Sequence, residues 1–304
     1  MLDIYEYCLT TASKPLYSEM PSKRAYLAQS SVKVLGGAGN AAQTLASLGA
    51  RVSMVGVAGN DEHYFKLRSM CDQSRINHSI IRDKDRQTTT KARLFIDDKY
   101  LLRRDDECID PINHSTQTAV LNESLHVLSD INVVILSDYN KGVFSEDLAQ
   151  QIISECRVKG IPVIVDFKPC NASKFRGADV LSTNERDAKD ILPSFNQSSL
   201  YWSTVDLFSE LYGKAVVVTL GGNGICGYDG AMYFHVAGHK VPVRDPVGCG
   251  DTVRAGIALG LTLGLDLKGA ASLANYAAAV VASKANTATI TCSELMAFIC
   301  KAEG

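Results

Sequence analysis

Four short runs constrain what this chain can fold into more than any other feature. Arg51–Val57, Val133–Leu136, Ile161–Val165 and Ala215–Leu220 are apolar almost throughout. A strand wet on one face alternates apolar and polar residues; a run without alternation suits a parallel sheet covered on both faces. Helix-length segments lie between the runs, at Asn40–Leu48, Ser145–Lys159 and Thr204–Tyr212. Such alternation builds βαβ units and predicts an α/β fold, a three-layer, doubly wound, mostly parallel sheet.

Two stretches depart from this pattern. Residues 88–100 are Thr-rich and alternate, with a turn expected at Asp97–Asp98; residues 5–34 lack a helical period. Both read as antiparallel strands outside the main sheet, forming a small β lid from about 4–34 and 86–106 that could exclude water from a reaction. The segment from Thr252 to Ala297 is Ala-rich and reads as helical. No Pro/Gly linker or internal repeat divides the chain, so one domain over 1–304 is expected.

The formal net charge is -2, so bulk electrostatics favour neither a nucleic-acid partner nor an acidic membrane. The nine cysteines form no Cys-x-x-Cys pair, and an odd count argues against a disulfide framework. Buried thiols in a reducing compartment are the expected state. The start, Met-Leu-Asp-Ile-Tyr-Glu, lacks the basic and apolar regions of a signal peptide, and no apolar run approaches the ~18 residues of a membrane helix. A cytoplasmic location is expected.

The strongest local motif is Asp245-Pro-Val-Gly-Cys-Gly-Asp-Thr252, ahead of a helix expected over Val253–Leu263. Gly248 and Gly250 allow a sharp turn whose amides, with Cys249 and the positive end of the helix, form an anion hole. Asp251 then lies where a carboxylate could take a proton from an attacking hydroxyl. The competing reading is that Asp251 only caps the helix. A second motif, Gly36-Gly-Ala-Gly-Asn40, precedes the first helix. Gly37–Ala42 also fits the dinucleotide pattern G-x-G-x-x-A, with Asp61 as the acid an NAD ribose would need. Gly222–Gly227 matches a similar pattern, but the following residues read as a hairpin. A P-loop, a His-Glu-x-x-His zinc helix and a G-x-S-x-G elbow are all missing, and the six histidines have no metal-ligand spacing.

The two Gly motifs in this order, about 200 residues apart, resemble the ribokinase-like (PfkB) carbohydrate kinases. Met1–Tyr5, Glu19–Pro21, Gly36–Ala50, Thr90–Arg93, Leu101–Asp105 and Leu136–Gly142 are similar to the D-glycero-β-D-manno-heptose-7-phosphate kinase branch. That resemblance implies a ribokinase-like fold, ATP with Mg²⁺, and phosphorylation of the anomeric hydroxyl of the heptose 7-phosphate, on the way to ADP-heptose for lipopolysaccharide. Related acceptors such as ribose, fructose or an adenosine-like nucleoside are the alternative. A non-catalytic nucleotide- or sugar-binding relative is the alternative from another class. The resemblance makes Asp251 the base and Gly248, Cys249 and Gly250 the anion hole. It places Asp3, Gly36, Gly37, Asn40 and Asp138 on sugar hydroxyls. Arg103 and Lys141 are candidates for the substrate's own phosphate. Asn184 and, with Mg²⁺, Asp187 match an Asn-x-x-Glu motif; Thr219, Gly221, Gly224 and Asn275 match the ATP side. A homodimer through the lid is the expected assembly.

The chain departs from the family at several points. Val247 stands for a threonine and Cys249 for an alanine, and Asp187 replaces a glutamate one methylene longer. Lys284–Thr287 lacks a usual glycine. The family also has a buried strand ending in Gly-Asp before Met-Leu-Asp, whereas this sequence begins at Met1. Either the start lies upstream, or the central sheet lacks a strand.

Overall fold

The structure, a computed structural model, describes residues 1–9, 16–17 and 24–303. The Glu19–Pro21 similarity lies outside them. The chain order is β1 (Leu2–Leu9), β2 (Leu16–Tyr17), β3 (Arg24–Ala25), β4 (Leu27–Leu35), α1 (Ala38–Ser47), β5 (Ser53–Gly59), α2 (Glu62–Gln73) and β6 (Asn77–Asp83). Then come β7 (Thr90–Ile96), β8 (Lys99–Asp106), α3 (His114–Val127), β9 (Val134–Ser137), α4 (Glu146–Lys159), β10 (Val163–Asp166), β11 (Val180–Asn184) and α5 (Glu185–Ile191). The rest is α6 (Leu200–Leu211), β12 (Val216–Thr219), β13 (Ile225–Tyr228), β14 (Tyr233–Val236), α7 (Cys249–Thr262), α8 (Leu267–Ala282) and α9 (Cys292–Glu303).

The four apolar runs became β5, β9, β10 and β12. Six strands pair in the order β14-β13-β12-β11-β10-β9, parallel from β9 to β12 and closed by the antiparallel β12–β13–β14 meander. Side chains along β10 take opposite faces, as the period of two requires. Val163 and Val165 pack with α4 residues Leu148 and Ile152, whereas Ile164 packs with Val253, Ile257 and Ala274 of α7 and α8. Helices α7 and α8 approach closely because a Cβ at Gly256 or Gly260 would run into Ala274 or Ala270.

β5 pairs only with β6, in parallel, and this two-stranded piece does not join the edge strand β9 among the described residues. A cleft of about 730 Å³ separates them, lined by Val55 and Val57 on one side and Val134 and Leu136 on the other. The middle layer is therefore divided between β5 and β9.

The lid is a four-stranded sheet, β4-β1-β7-β8. The expectation that it would be antiparallel needs correcting at one pair. β1 runs antiparallel to β4 but parallel to β7, because the chain crosses through α1, β5, α2 and β6 between them. The β7–β8 hairpin turns at Asp97 and Asp98, with φ of 48° and 61°, the paired left-handed turn that a two-residue hairpin prefers.

Candidate active site

The turn before α7 brings the site together. Gly248 is the N-cap residue, at φ 86°, and a Cβ there would sit 2.7 Å from Asn40 Nδ2. Asp251 is the third residue of α7 and not its cap, which corrects the capping reading. Cys249 N–H donates to Pro246 O at 3.3 Å, while the N–H groups of Gly250 and Asp251 meet no acceptor among the described residues. Two donors at the positive end of a 14-residue helix thus remain free.

Three donors hold the Asp251 carboxylate. Asn40 Nδ2 reaches Oδ2 at 3.0 Å, Arg254 Nη2 reaches Oδ1 at 2.7 Å, and the Tyr139 hydroxyl also donates to Oδ1. A carboxylate offers about four lone-pair positions, so one place on Oδ2 stays open for a fourth donor. Asn40 is the third residue of α1, whose N-cap Gly37, at φ 56°, makes the preceding turn; a Cβ on Gly37 would press on the Tyr139 ring. The two glycine motifs therefore meet through Asn40 and Tyr139.

Arg254 Nη2 also lies 2.9 Å from Asp166 Oδ2 and 3.2 Å from the Tyr139 hydroxyl. Burial works against the guanidinium's charge, but Asp166, Tyr139 and Asp251 together raise its pKa above the usual value. Burial pushes Asp166 up to about 6; Arg254 opposes this and Asp251 adds to it. Burial, then Asp251, raises Tyr139 well above the ordinary phenol range.

Asp3 is buried on β1, and Arg93 Nη1 donates to its Oδ1 at 2.8 Å. Its Oδ2 faces Gly36, where any Cβ would collide with it. Asp138 is buried too, with Oδ1 taken by Asn140 N–H at 2.8 Å and Oδ2 by Asn171 Nδ2 at 2.7 Å. Arg103 pairs with Asp105 at 2.7 Å and Lys141 with Glu107 at 2.6 Å. Lys91 joins them, 3.7 Å from Asp105; burial lowers its pKa, Asp105 and Glu107 oppose this, and Arg103 and Lys141 add to it. Three cations thus gather where the lid meets the loop after β9.

Around α5, Asn184 caps the helix and donates from Nδ2 to Asp187 Oδ2 at 2.9 Å, and Lys168 donates to the same oxygen at 2.8 Å. Thr219 ends β12. The turn that follows needs Gly221 at φ 59°, and Gly224 lies against the backbone of Val236 and Gly238. Asn275 Nδ2 donates to Ala237 O at 2.8 Å, beside the same hairpin. The dinucleotide reading does not hold. The strand before Gly37 belongs to the lid, and Asp61 caps α2, with Oδ1 accepting from His63 N–H at 3.0 Å and Oδ2 from Thr88 N–H at 2.7 Å.

Residues 7–294 match the profile of the pfkB family carbohydrate kinases. The chain belongs to that family. This pfkB kinase is 35% identical over 265 residues to the bifunctional protein HldE of Sulfurimonas denitrificans, covering 86% of this chain and 55% of that protein. It is 35% identical over 302 residues to HldE of Nitrobacter winogradskyi, covering 97% of this chain and 61% of the relative. The chain thus spans little more than half the length of these curated relatives. In structure it resembles phosphofructokinase-2 from Escherichia coli, with a TM-score of 0.80, 17% identity, and coverage of 100% and 97% of the two chains. It also resembles ribokinase from Thermotoga maritima, with a TM-score of 0.72, 20% identity, and coverage of 98% and 97%. The ribokinase-like α/β fold and the phosphotransferase class follow, and kinases of the pfkB family use ATP. Among the described residues no helix is long and apolar enough to cross a membrane.

Sequence reasoning missed Tyr139, Asp166 and Arg254. An Asp ending a buried parallel strand was a usable signal, since ligands of such sheets collect at the carboxyl ends of the strands.

Proposed function

We propose that this carbohydrate kinase phosphorylates the anomeric hydroxyl of D-glycero-D-manno-heptose 7-phosphate, with Asp251 as general base. One observation carries the reading. A carboxylate held by three donors keeps one open lone pair, beside two unbonded amides at a helix start. The acceptor's O–H proton passes to Asp251 Oδ2 while its oxygen forms the new bond to the γ-phosphorus. The bond to the bridging oxygen breaks, and ADP leaves with that electron pair. The amides of Gly250 and Asp251 hold the moving phosphoryl group, so positioning and electrostatics supply most of the rate.

The acceptor assignment rests on the motif similarities to the heptose branch and on the HldE relatives. Lys91, Arg103 and Lys141, set against Asp105 and Glu107, leave one net positive charge for the sugar's own phosphate. Asp3, Gly36, Gly37, Asn40 and Asp138 form the sugar side, and Asn184, Thr219, Gly221, Gly224 and Asn275 the nucleotide side. Mg²⁺ prefers hard oxygen ligands and binds through one or two carboxylates plus phosphates. Asp187 fits that role, since its hydrogen bonds from Lys168 and Asn184 both fall on Oδ2 and leave Oδ1 for the ion. When bound, the ion neutralises charge on the ATP phosphates. Leu27, Tyr100 and Leu101 are exposed on the lid strands and suit pairing of two lids in a cytoplasmic homodimer.

The test is ADP release with MgATP and a panel of heptose 7-phosphate, fructose 6-phosphate, ribose and adenosine. Turnover highest with heptose 7-phosphate is expected. Preference for an unphosphorylated sugar would refute the roles of Arg103 and Lys141, and inactivity with every acceptor would favour a non-catalytic binding protein.

A further inference from the structure

We propose that Arg254 is a positioning residue for Asp251, fixing the plane of its carboxylate and which oxygen faces the acceptor. The proposal rests on the kinase reading for its consequence, but its geometry stands apart from the acceptor's identity.

Arg254 follows Asp251 by three residues on α7, so both side chains share one face of the helix. It is only 7% exposed, unusual for an arginine. A single nitrogen, Nη2, serves Asp251 at 2.7 Å, Asp166 at 2.9 Å and the Tyr139 hydroxyl at 3.2 Å. Its Nε is buried and meets no acceptor among the described residues. A surface charge folded inward by chance would not converge on the buried Asp251 and the partly buried Asp166. Here the cation is held by them, and removing it would leave both without their counter-charge.

This has a chemical consequence. Arg254 and Tyr139 occupy Oδ1, and Asn40 takes one side of Oδ2, so the carboxylate cannot rotate without breaking a charged hydrogen bond. The open lone pair is therefore always on the oxygen nearer Asn40. Asp166 approaches the guanidinium from β10 and Tyr139 from the loop after β9. Lys168 and Asp187 lie beyond Asp166 and act on it with opposite signs.

The experiment uses the full chain and the variants Arg254→Leu and Arg254→Lys. The Asn40 side-chain amide, which donates to the same carboxylate, is followed by ¹⁵N NMR without substrate and identified by its loss in Asn40→Asp. In Arg254→Leu its resonance should move as the carboxylate loses its fixed plane, with Arg254→Lys closer to the parent. With ATP and heptose 7-phosphate, kcat in Arg254→Leu should fall about 100-fold while KM for ATP changes less than about 3-fold, and Arg254→Lys should recover part of the loss. If Arg254→Leu does not fold, Arg254→Gln replaces it, keeping polarity but losing charge. An unmoved Asn40 resonance overturns the proposal, as do an unchanged kcat and a loss confined to KM for ATP. If the parent chain turns over no acceptor, the kinase reading fails and the NMR comparison alone decides the role of Arg254.

Discussion

Tyr5 on the first lid strand shares two hydrogen bonds with Thr287, 282 residues further along the chain. The Tyr5 oxygen accepts from Thr287 N–H at 3.0 Å and lies 2.7 Å from the Thr287 hydroxyl. Tyr7, two residues on, donates to Asn286 Oδ1 at 2.6 Å. Thr287 also packs toward Gly248, where its Cγ2 would stand 3.2 Å from an added Cβ. The lid is thereby fastened to the loop that supports the turn before α7.

Tyr5→Phe should lower stability by about 1–3 kcal/mol, because it leaves the buried Thr287 amide and hydroxyl without their partner. Urea unfolding checks this through a lower midpoint with an unchanged slope. A midpoint equal to the parent's would show that the latch adds nothing to the fold.

The divided sheet predicts uneven sensitivity to core truncation. Val217 is fully buried between layers, so Val217→Ala should cost roughly 2–3 kcal/mol. Val55 lines the cleft between β5 and β9, so its methyl groups already face open space on one side. Val55→Ala should cost at most about half as much. Equal costs measured by denaturant unfolding would mean the cleft is filled in solution.

Asp166 gives a pH signature with a definite sign. Burial raises its pKa from 3.8 to about 6 in the folded chain, so the folded state binds its proton more tightly than the unfolded one. Its contribution is fully present below the unfolded value and is lost as pH rises through about 6. Between those limits the loss amounts to ~3 kcal/mol at most, at 1.36 kcal/mol per pH unit. Asp166→Asn should flatten this slope, so that the gap in stability between parent and variant narrows or reverses from pH 4 to pH 7. Parallel curves would contradict the raised value.

How far the sequence revealed these features depended on the range of the forces involved. Local rules located β9, β10 and β12 within a residue or two, because an unbroken apolar run has few places to go. The extent of α4 from about Ser145 to Lys159 and the turn at Asp97–Asp98 were equally legible, since each depends on neighbours in sequence. The Asp245–Thr252 turn was readable because glycine is needed where φ is positive. Arg254 was not. A lone arginine in an apolar helix reads as a surface charge, and its burial depends on Asp166, a partner 88 residues earlier on another element. Tyr139 was hidden for the same reason, its hydroxyl finding Asp251 only once α7 packs beside the loop after β9. The parallel pairing of β1 with β7 was also out of reach, since a strand's alternation does not say which neighbour it will choose.

The most direct test is turnover by Asp251→Asn with MgATP and heptose 7-phosphate, alongside ATP binding by calorimetry. The substitution keeps the size of the side chain and its contacts with Asn40 and Tyr139 within reach, but removes the base. The expected result is a fall in kcat of at least about 100-fold with ATP affinity nearly unchanged. Turnover within a few-fold of the parent would contradict the account.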